Sequence, residues 1–312
     1  MQIVRHSDDP SFSLAASVVT LGNFDGVHLG HQALIGGAVA EARKLTVPSV
    51  VLTFEPHPLR VLAPERAPKI LLAHKDKMRL LQALGADIVV IQPFDLPFAS
   101  LRADEFVRRI LIDRLKARKV WVGRDLRFGH RRQGNVADLE RWGNEQGFGV
   151  TTVDAIVVDG ERVSSSRIRR LVTEGQVEAV KPLLGRYHFV SGRVVPGSRR
   201  GRELGFPTAN IFACTEVLPR DGIYATLFQL GERQLPSVSS IGVNPTFGEG
   251  PRTVESYIFN FNENIYGEAV QLSFVRRIRD EMKFASVDAL AAQIRQDVGN
   301  AKTILDELRL VR

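Results

Sequence analysis

"SVVTLGNFDGVHLGH" (residues 17–31) runs from a five-residue apolar stretch into a turn holding three glycines, two histidines and an aspartate. The apolar stretch is too short for a helix, and its β-branched content suits a strand buried on both faces. An amphipathic segment over 31–45 follows, so the unit reads strand, glycine-rich turn, helix. The same alternation continues along the chain. Strands are expected in "SVVLTF" (49–54), "DIVVIQ" (87–92), "KVWVG" (119–123) and "VTTVDAI" (150–156), and helices over 75–84, 103–116 and 135–146. Apolar strands alternating with helices predict an α/β domain on a parallel sheet. Ligands of such sheets bind beyond the carboxyl ends of the strands, where chain direction switches. The glycine-rich turn sits at such an end.

After "VEAVKPLLG" (177–185) the rhythm changes. "YHFVSGRVV" (187–195), "GIYATLFQL" (222–230), "PSVSSIGV" (236–243), "TVESYIFNF" (253–261) and "AVQLSFVRRI" (269–278) alternate partly with period two, separated by Gly, Pro and Asn turns. This predicts a small antiparallel β-barrel. Two helical segments, "SVDALAAQIRQDV" and "NAKTILDELRLV", are expected to close the chain. The domain boundary falls near Gly185, giving domains 1–185 and 186–312.

The 312 residues suit two domains, and 44% hydrophobic with 25% charged residues is ordinary globular composition. No apolar run approaches the ~20 residues that span a bilayer. The first residues lack a secretory signal, and the lone Cys214 excludes an internal disulfide, so a cytoplasmic protein is expected. The net charge of +7 raises the possibility of nucleic-acid binding. The excess is spread over both halves rather than forming one basic stripe. Its densest cluster, "GRDLRFGHRRQG" (123–134), suits a small phosphate-bearing ligand as well as RNA.

In the opening turn, Gly22, Gly26 and Gly30 let the backbone approach a phosphate, and the helix start offers N–H groups and a positive dipole end. His28 and His31, three apart, can donate hydrogen bonds to a phosphate undergoing displacement. Asn23 and Asp25 can set imidazole tautomers or meet a ribose hydroxyl or metal. A capping role for an isolated histidine is the plainer reading. Zinc would need more ligands than two nearby nitrogens. Neither a Gly-Lys-Ser/Thr loop nor a G-x-G-x-x-G follows the first strand.

This string resembles the signature of the H-x-G-H nucleotidyltransferase superfamily, which transfers a nucleotidyl group and releases pyrophosphate. "VSSSRIR" (163–169) is similar to that superfamily's second signature. The resemblance implies a Rossmann-like parallel sheet, nucleotide contacts from Gly22, Asn23, Phe24, Asp25, Gly26 and Gly30, and triphosphate contacts from Ser165, Ser166 and Arg169.

"GRELGFPTANI" (201–211) is the other dense stretch. Thr208 and Asn210 point the same way if the segment is extended, and their oxygens are hard ligands suited to Mg²⁺. Gly197, Gly201 and Gly205 can form a flap over phosphates. A β-turn with an Asx cap is the plainer local reading. The string resembles the signature of riboflavin kinases, and "DGIYA", "SIGVNPTFG", "VESYIFNF", "IYG" and "RIRDEMKFASVDAL" follow in that family's order. The two sets together resemble the bacterial bifunctional riboflavin kinase/FAD synthetases.

That resemblance implies two ATP-dependent reactions, with ATP as co-substrate at both sites, Mg²⁺ as cofactor, and riboflavin, FMN and FAD as the other ligands. No nucleic-acid or membrane partner is implied, and the oligomeric state is left open. Glu255 matches the catalytic base of riboflavin kinases, and Gly197, Gly201, Gly205, Phe206, Pro207, Thr208 and Asn210 match the nucleotide-binding segment, with Thr208 and Asn210 the metal ligands. In the first domain, "EPHP" with His57 and Pro58, and the loop "GRDLRFG" with Asp125, Arg127 and Phe128, correspond to the flavin-binding segments. Arg124 and Leu126 depart from the family pattern in that loop. His57 between two prolines equally suits a rigid surface turn. A basic RNA-binding protein without activity is the competing class.

Overall fold

The structure is a computed structural model that describes residues 1–197, 201, 204–243 and 252–310. By contacts the chain divides into two compact units, Met1–Lys69 with His74–Ser164, and Ile70–Ala73 with Ser165–Arg312.

The first unit is built on a parallel sheet of β1 (Gln2–Val4), β2 (Ser17–Leu21), β3 (Ser49–Glu55), β4 (Ile88–Pro93), β5 (Ala117–Gly123) and β6 (Gly149–Val153), in the order β1-β4-β3-β2-β5-β6. Every residue of β2 is buried, as expected for a strand covered on both faces. Strand order reverses direction at β2, because β3 lies on one side of it and β5 on the other. The loops after β2 and β5 therefore leave the sheet at its switch point. The helix Leu29–Leu45 covers one face through Leu34, Ile35, Ala38, Val39 and Ala42, the spacing of one helical stripe. A Cβ on Gly37 would sit 2.7 Å from Trp121 Cε3, so glycine is what lets this helix lie down on the indole of β5.

The segment 103–116, expected as one α-helix, is α-helical over Ala103–Phe106 and π-helical over Val107–Arg114. The short hairpin β7 (Val157–Val158) and β8 (Glu161–Arg162) turns on Asp159 and Gly160, both with positive φ.

The second unit is a closed antiparallel barrel of β9 (His188–Val195), β10 (Ala209–Ala213), β11 (Gly222–Leu230), β12 (Arg233–Val243), β13 (Arg252–Ile258) and β14 (Ala269–Arg279), in the order β10-β13-β12-β11-β14-β9. Val190, Ile211, Phe228, Ile241, Val254 and Leu272 fill it. Among these apolar groups, Thr226 pairs with Ser237 and Ser239, and Ser239 with Ser256, so the buried hydroxyls satisfy one another. Val177, ahead of the first barrel strand, belongs to the same core.

The two closing helical segments are one helix, Val287–Glu307. Gly299 inside it costs about 1 kcal/mol relative to alanine. Burial of Ala301 and Leu305 against Ala225, Leu227 and Val275 of the barrel outweighs that cost. Arg279 grips Asp297 on this helix with Nε 2.9 Å from Oδ1 and Nη2 2.6 Å from Oδ2.

Candidate active sites

In the turn after β2, Phe24, Gly26 and Val27 all have positive φ (49°, 82° and 40°). For the β-branched, buried Val27 this is a strained conformation, of order 1–3 kcal/mol. The turn throws the chain back so that His28 becomes the N-cap of the helix Leu29–Leu45, its Nδ1 accepting from the His31 N–H at 3.3 Å. The two imidazoles stack with centroids 3.6 Å apart, and Phe24 meets His31 edge-on at 5.3 Å. A Cβ on Gly30 would lie 3.2 Å from His28 Cε1, so glycine gives this ring its room.

Burial, then His28, then Lys77, push the His31 pKa well below the usual histidine value. His31 is therefore neutral at pH 7, with Nδ1 buried and unbonded. A stacked pair of imidazoles at a helix N-terminus is a set of groups suited to donate hydrogen bonds to an anion.

"EPHP" follows β3 at the same edge of the sheet. His57 caps the short helix Pro58–Leu62 by accepting from Leu59 N–H at 3.2 Å, and its Nε2 is 3.2 Å from the side-chain amide of Asn23. The fold thus joins two motifs that are 34 positions apart in sequence.

The loop after β5 divides its residues between surface and core. Arg127 is exposed, and Asp125 is paired with Arg162 at 2.6 Å. Arg124, the departure from the family pattern, is bound to Asp154 at 2.5 Å. Phe128 is buried between Phe106 and Trp142, with ring centroids 5.7 and 6.3 Å away. Gly129 has φ +73°, and a Cβ there would lie 2.6 Å from Ala103 Cα. Ser165, Ser166 and Arg169 open the helix Ser165–Thr173, whose buried side is Ile168, Leu171 and Val172.

In the second unit, β10 and β13 pair with Asn210 directly opposite Glu255. Along β13, Val254, Ser256 and Ile258 are buried while Glu255 and Tyr257 share the more open face. Thr208, just ahead of β10, meets that side, and its hydroxyl donates to Glu255 Oε2 at 3.2 Å. The glycines close around these groups. A Cβ on Gly197 would lie 2.7 Å from Asn210 Oδ1, with Nδ2 and Cγ nearer still, and one on Gly201 would lie 3.4 Å from Thr208 Oγ1. Gly201 O accepts from Phe206 N–H at 2.7 Å, and the Phe206 ring meets Tyr257 edge-on at 5.3 Å. Exposed Pro207 and Gly205, at φ +82°, shape the turn into β10. Arg202, Glu203 and the 244–248 part of "SIGVNPTFG" lie outside the described residues.

A hydroxyl, an amide and a carboxylate on one barrel face, and an imidazole pair over a glycine-rich turn, match two separate families. Residues 12–167 match the family model for FAD synthetase and residues 184–305 that for riboflavin kinase. The chain belongs to the bifunctional riboflavin kinase/FMN adenylyltransferase family. Its C-terminal domain phosphorylates riboflavin to FMN with ATP, and its N-terminal domain adenylylates FMN to FAD with ATP, releasing pyrophosphate. The Escherichia coli K12 bifunctional riboflavin kinase/FMN adenylyltransferase is 39% identical over 90% of both chains. The Haemophilus influenzae enzyme of that name is 36% identical over 98% of this chain and all of its own. A crystal structure described as a macrolide-efflux protein from Streptococcus pneumoniae superposes with a TM-score of 0.86, at 33% identity over 96% of this chain and 98% of its own. No helix among the described residues is long and apolar enough to cross a membrane.

Sequence reading missed three features of this bifunctional enzyme. Lys77, in the helix His74–Ala83, reaches back to the first turn with Nζ 3.4 Å from Asn23 O. Its amphipathic helix carried no signal beyond packing. Half-buried Phe54, Phe94 and Phe98 form an aromatic cluster at the carboxyl ends of β3 and β4, with centroids 5.7–5.9 Å apart. Ser240 of β12 stands opposite Glu255, a register only the closed barrel creates.

Proposed function

We propose that residues 1–185 house the adenylyltransferase site and residues 186–312 the kinase site, with roles as follows. In the kinase site, Glu255 takes the proton of the ribityl 5′-hydroxyl as that oxygen attacks the γ-phosphorus of ATP and ADP departs. Thr208 and Asn210 hold the polyphosphate end, and the close glycines at 197 and 201 let the backbone approach it. No group of three or more His, Cys, Asp or Glu side chains among the described residues is placed to hold a metal ion. The oxygens of Thr208 and Asn210 nonetheless fit a Mg²⁺ that keeps phosphate and water as its other ligands. When bound, the ion supplies neutralisation of polyphosphate charge.

In the adenylyltransferase site, an FMN phosphate oxygen attacks the α-phosphorus of ATP and pyrophosphate leaves. The nucleophile is already an anion, so His28 and His31 act as hydrogen-bond donors to the attacked phosphate rather than as bases. Gly22, Asn23, Phe24, Asp25, Gly26 and Gly30 frame the nucleotide, and His57, Pro58, Asp125 and Arg127 the flavin. Phe128 supports that loop from the core. The roles of Ser165, Ser166 and Arg169 toward the triphosphate rest on the motif. A cytoplasmic setting, where ATP is supplied, fits both reactions.

The observation that carries this reading is the meeting of Thr208 with Glu255 across 47 positions of sequence, on the open side of a barrel whose other side is apolar. The test uses one chain and two assays. His28→Ala is expected to abolish FAD formation and spare FMN formation, and Glu255→Gln the reverse. Equal loss of both activities in either variant contradicts separate sites.

A further inference from the structure

Lys77 belongs to no motif, yet it reaches the turn after β2. Its Nζ lies 3.4 Å from the Asn23 carbonyl oxygen and 3.4 Å from Thr53 Oγ1. Both partners are neutral and both distances are long for an ammonium donor. Among the described residues, no carboxylate lies within ion-pair distance of it. The residue is half-buried, and burial of its ammonium lowers its pKa, while Asp25 and Glu55 act from further off to keep it charged. An ammonium partly withdrawn from water without a contacting anion is costly. That cost is recovered when an anion arrives.

The surroundings say which anion. Asn23 lies in the turn after β2 and Thr53 near the end of β3, so Lys77 looks onto the carboxyl edge of the sheet at its switch point. The same edge holds the N-terminus of a 17-residue helix and His31, whose Nδ1 is buried with no hydrogen-bond partner. Lys77 is among the charges that hold His31 neutral. An ammonium, the neutral imidazole of His31 and helix N–H groups are all donors, a set suited to a multiply charged phosphate.

We propose that Lys77 is a further catalytic residue of adenylyl transfer, its ammonium binding a phosphoryl oxygen of either the attacking FMN phosphate or the α-phosphate of ATP. This rests on reading the turn after β2 as the adenylyl-transfer site. In the step, a new bond forms between an FMN phosphate oxygen and the α-phosphorus. The bond from that phosphorus to the bridging oxygen breaks, and pyrophosphate leaves with the electron pair. Lys77 stays protonated throughout, and no proton passes through it.

The test compares full-length wild type, Lys77→Gln, Lys77→Arg and His28→Ala. FAD formation from FMN and Mg-ATP is measured with kcat and both KM values, and riboflavin phosphorylation is followed in the same preparations. Lys77→Gln is expected to lower kcat/KM for FAD formation by ~10²–10³-fold, the usual effect of deleting a donor to developing charge. Lys77→Arg should recover at least a tenth of the wild-type value, with riboflavin phosphorylation within twofold throughout. A raised KM for FMN at constant kcat identifies the acceptor phosphate, and a lowered kcat at constant KM identifies the α-phosphate. The proposal is overturned if Lys77→Gln retains FAD formation within threefold of wild type. It is equally overturned if Lys77→Arg is no better than Lys77→Gln, which makes Lys77 a fastener of the turn. Intact FAD formation in His28→Ala would instead remove the site reading beneath it.

Discussion

Gly197→Ala is a one-methyl test of the kinase site. No positive φ is present at Gly197, so alanine is tolerated by the backbone itself. The new methyl would nonetheless lie 2.7 Å from Asn210 Oδ1, with the rest of the amide closer still. Ordinary contact is about 3.5–4 Å, so the amide must swing away by about 1 Å or more. Asn210 has a short side chain with two rotatable bonds, so the shift is cheap for folding. It is expensive for chemistry, because Asn210 stands opposite Glu255. Misplacing a positioning group by about 1 Å is worth ~10²-fold in rate. Riboflavin phosphorylation, followed by chromatographic separation of FMN, should therefore fall by roughly two orders of magnitude, while adenylylation of supplied FMN by the same chain is unchanged. Phosphorylation within threefold of wild type would refute the reasoning, since it would mean that the glycine and the amide are not functionally in contact.

Two further expectations concern stability. His188 is fully enclosed in the barrel beside Phe274, its Nε2 has no partner, and burial pulls its pKa down to about 3. The unfolded chain takes up this proton below about 6.5 and the folded chain does not, so stability present above that pH falls by about 1.4 kcal/mol per unit as pH drops toward 3. Urea unfolding of the second unit at pH 7.5 and 5.5 should reveal this slope in wild type but not in His188→Phe; equal slopes would show that His188 is not the sensor. Asp297 is 3% exposed and holds half-buried Arg279 in a two-point clasp, so Asp297→Ala leaves the guanidinium without its carboxylate, keeping the bond to the Asp280 carbonyl. A loss of about 2–3 kcal/mol in the same denaturation assay is expected, and a loss under 1 kcal/mol would mean the clasp carries little.

Much of this architecture was legible in the chain. The strand at 17–21 falls on the residues its apolar pattern marks, because a strand buried on both faces must be written as an unbroken apolar run, and that at 222–230 falls on its partial period-two alternation. Strand β10 was hidden. Pro207 ahead of it and Asn210 within it suit a turn, and only pairing with β9 on one side and β13 on the other makes 209–213 extended. The closing helix ran through a glycine that sequence read as a break, because a buried stripe several turns long outweighs one weak residue. Strand β1, three residues long, is set by its partner β4 and by nothing in itself.

The sites divide the same way. The amino-acid order alone determined which chemistry the chain carries, since the imidazole pair, the Thr-x-Asn segment and the glutamate strand are each compact in sequence and each limited in use. Folding decided who stands beside whom: His57 against Asn23, Thr208 against Glu255, Phe128 turned inward and Lys77 brought to the turn. Covalent neighbours fix local conformation through sterics and short hydrogen bonds. Partners tens of residues apart are fixed only when strand order and barrel closure bring them together, and a linear pattern does not record that.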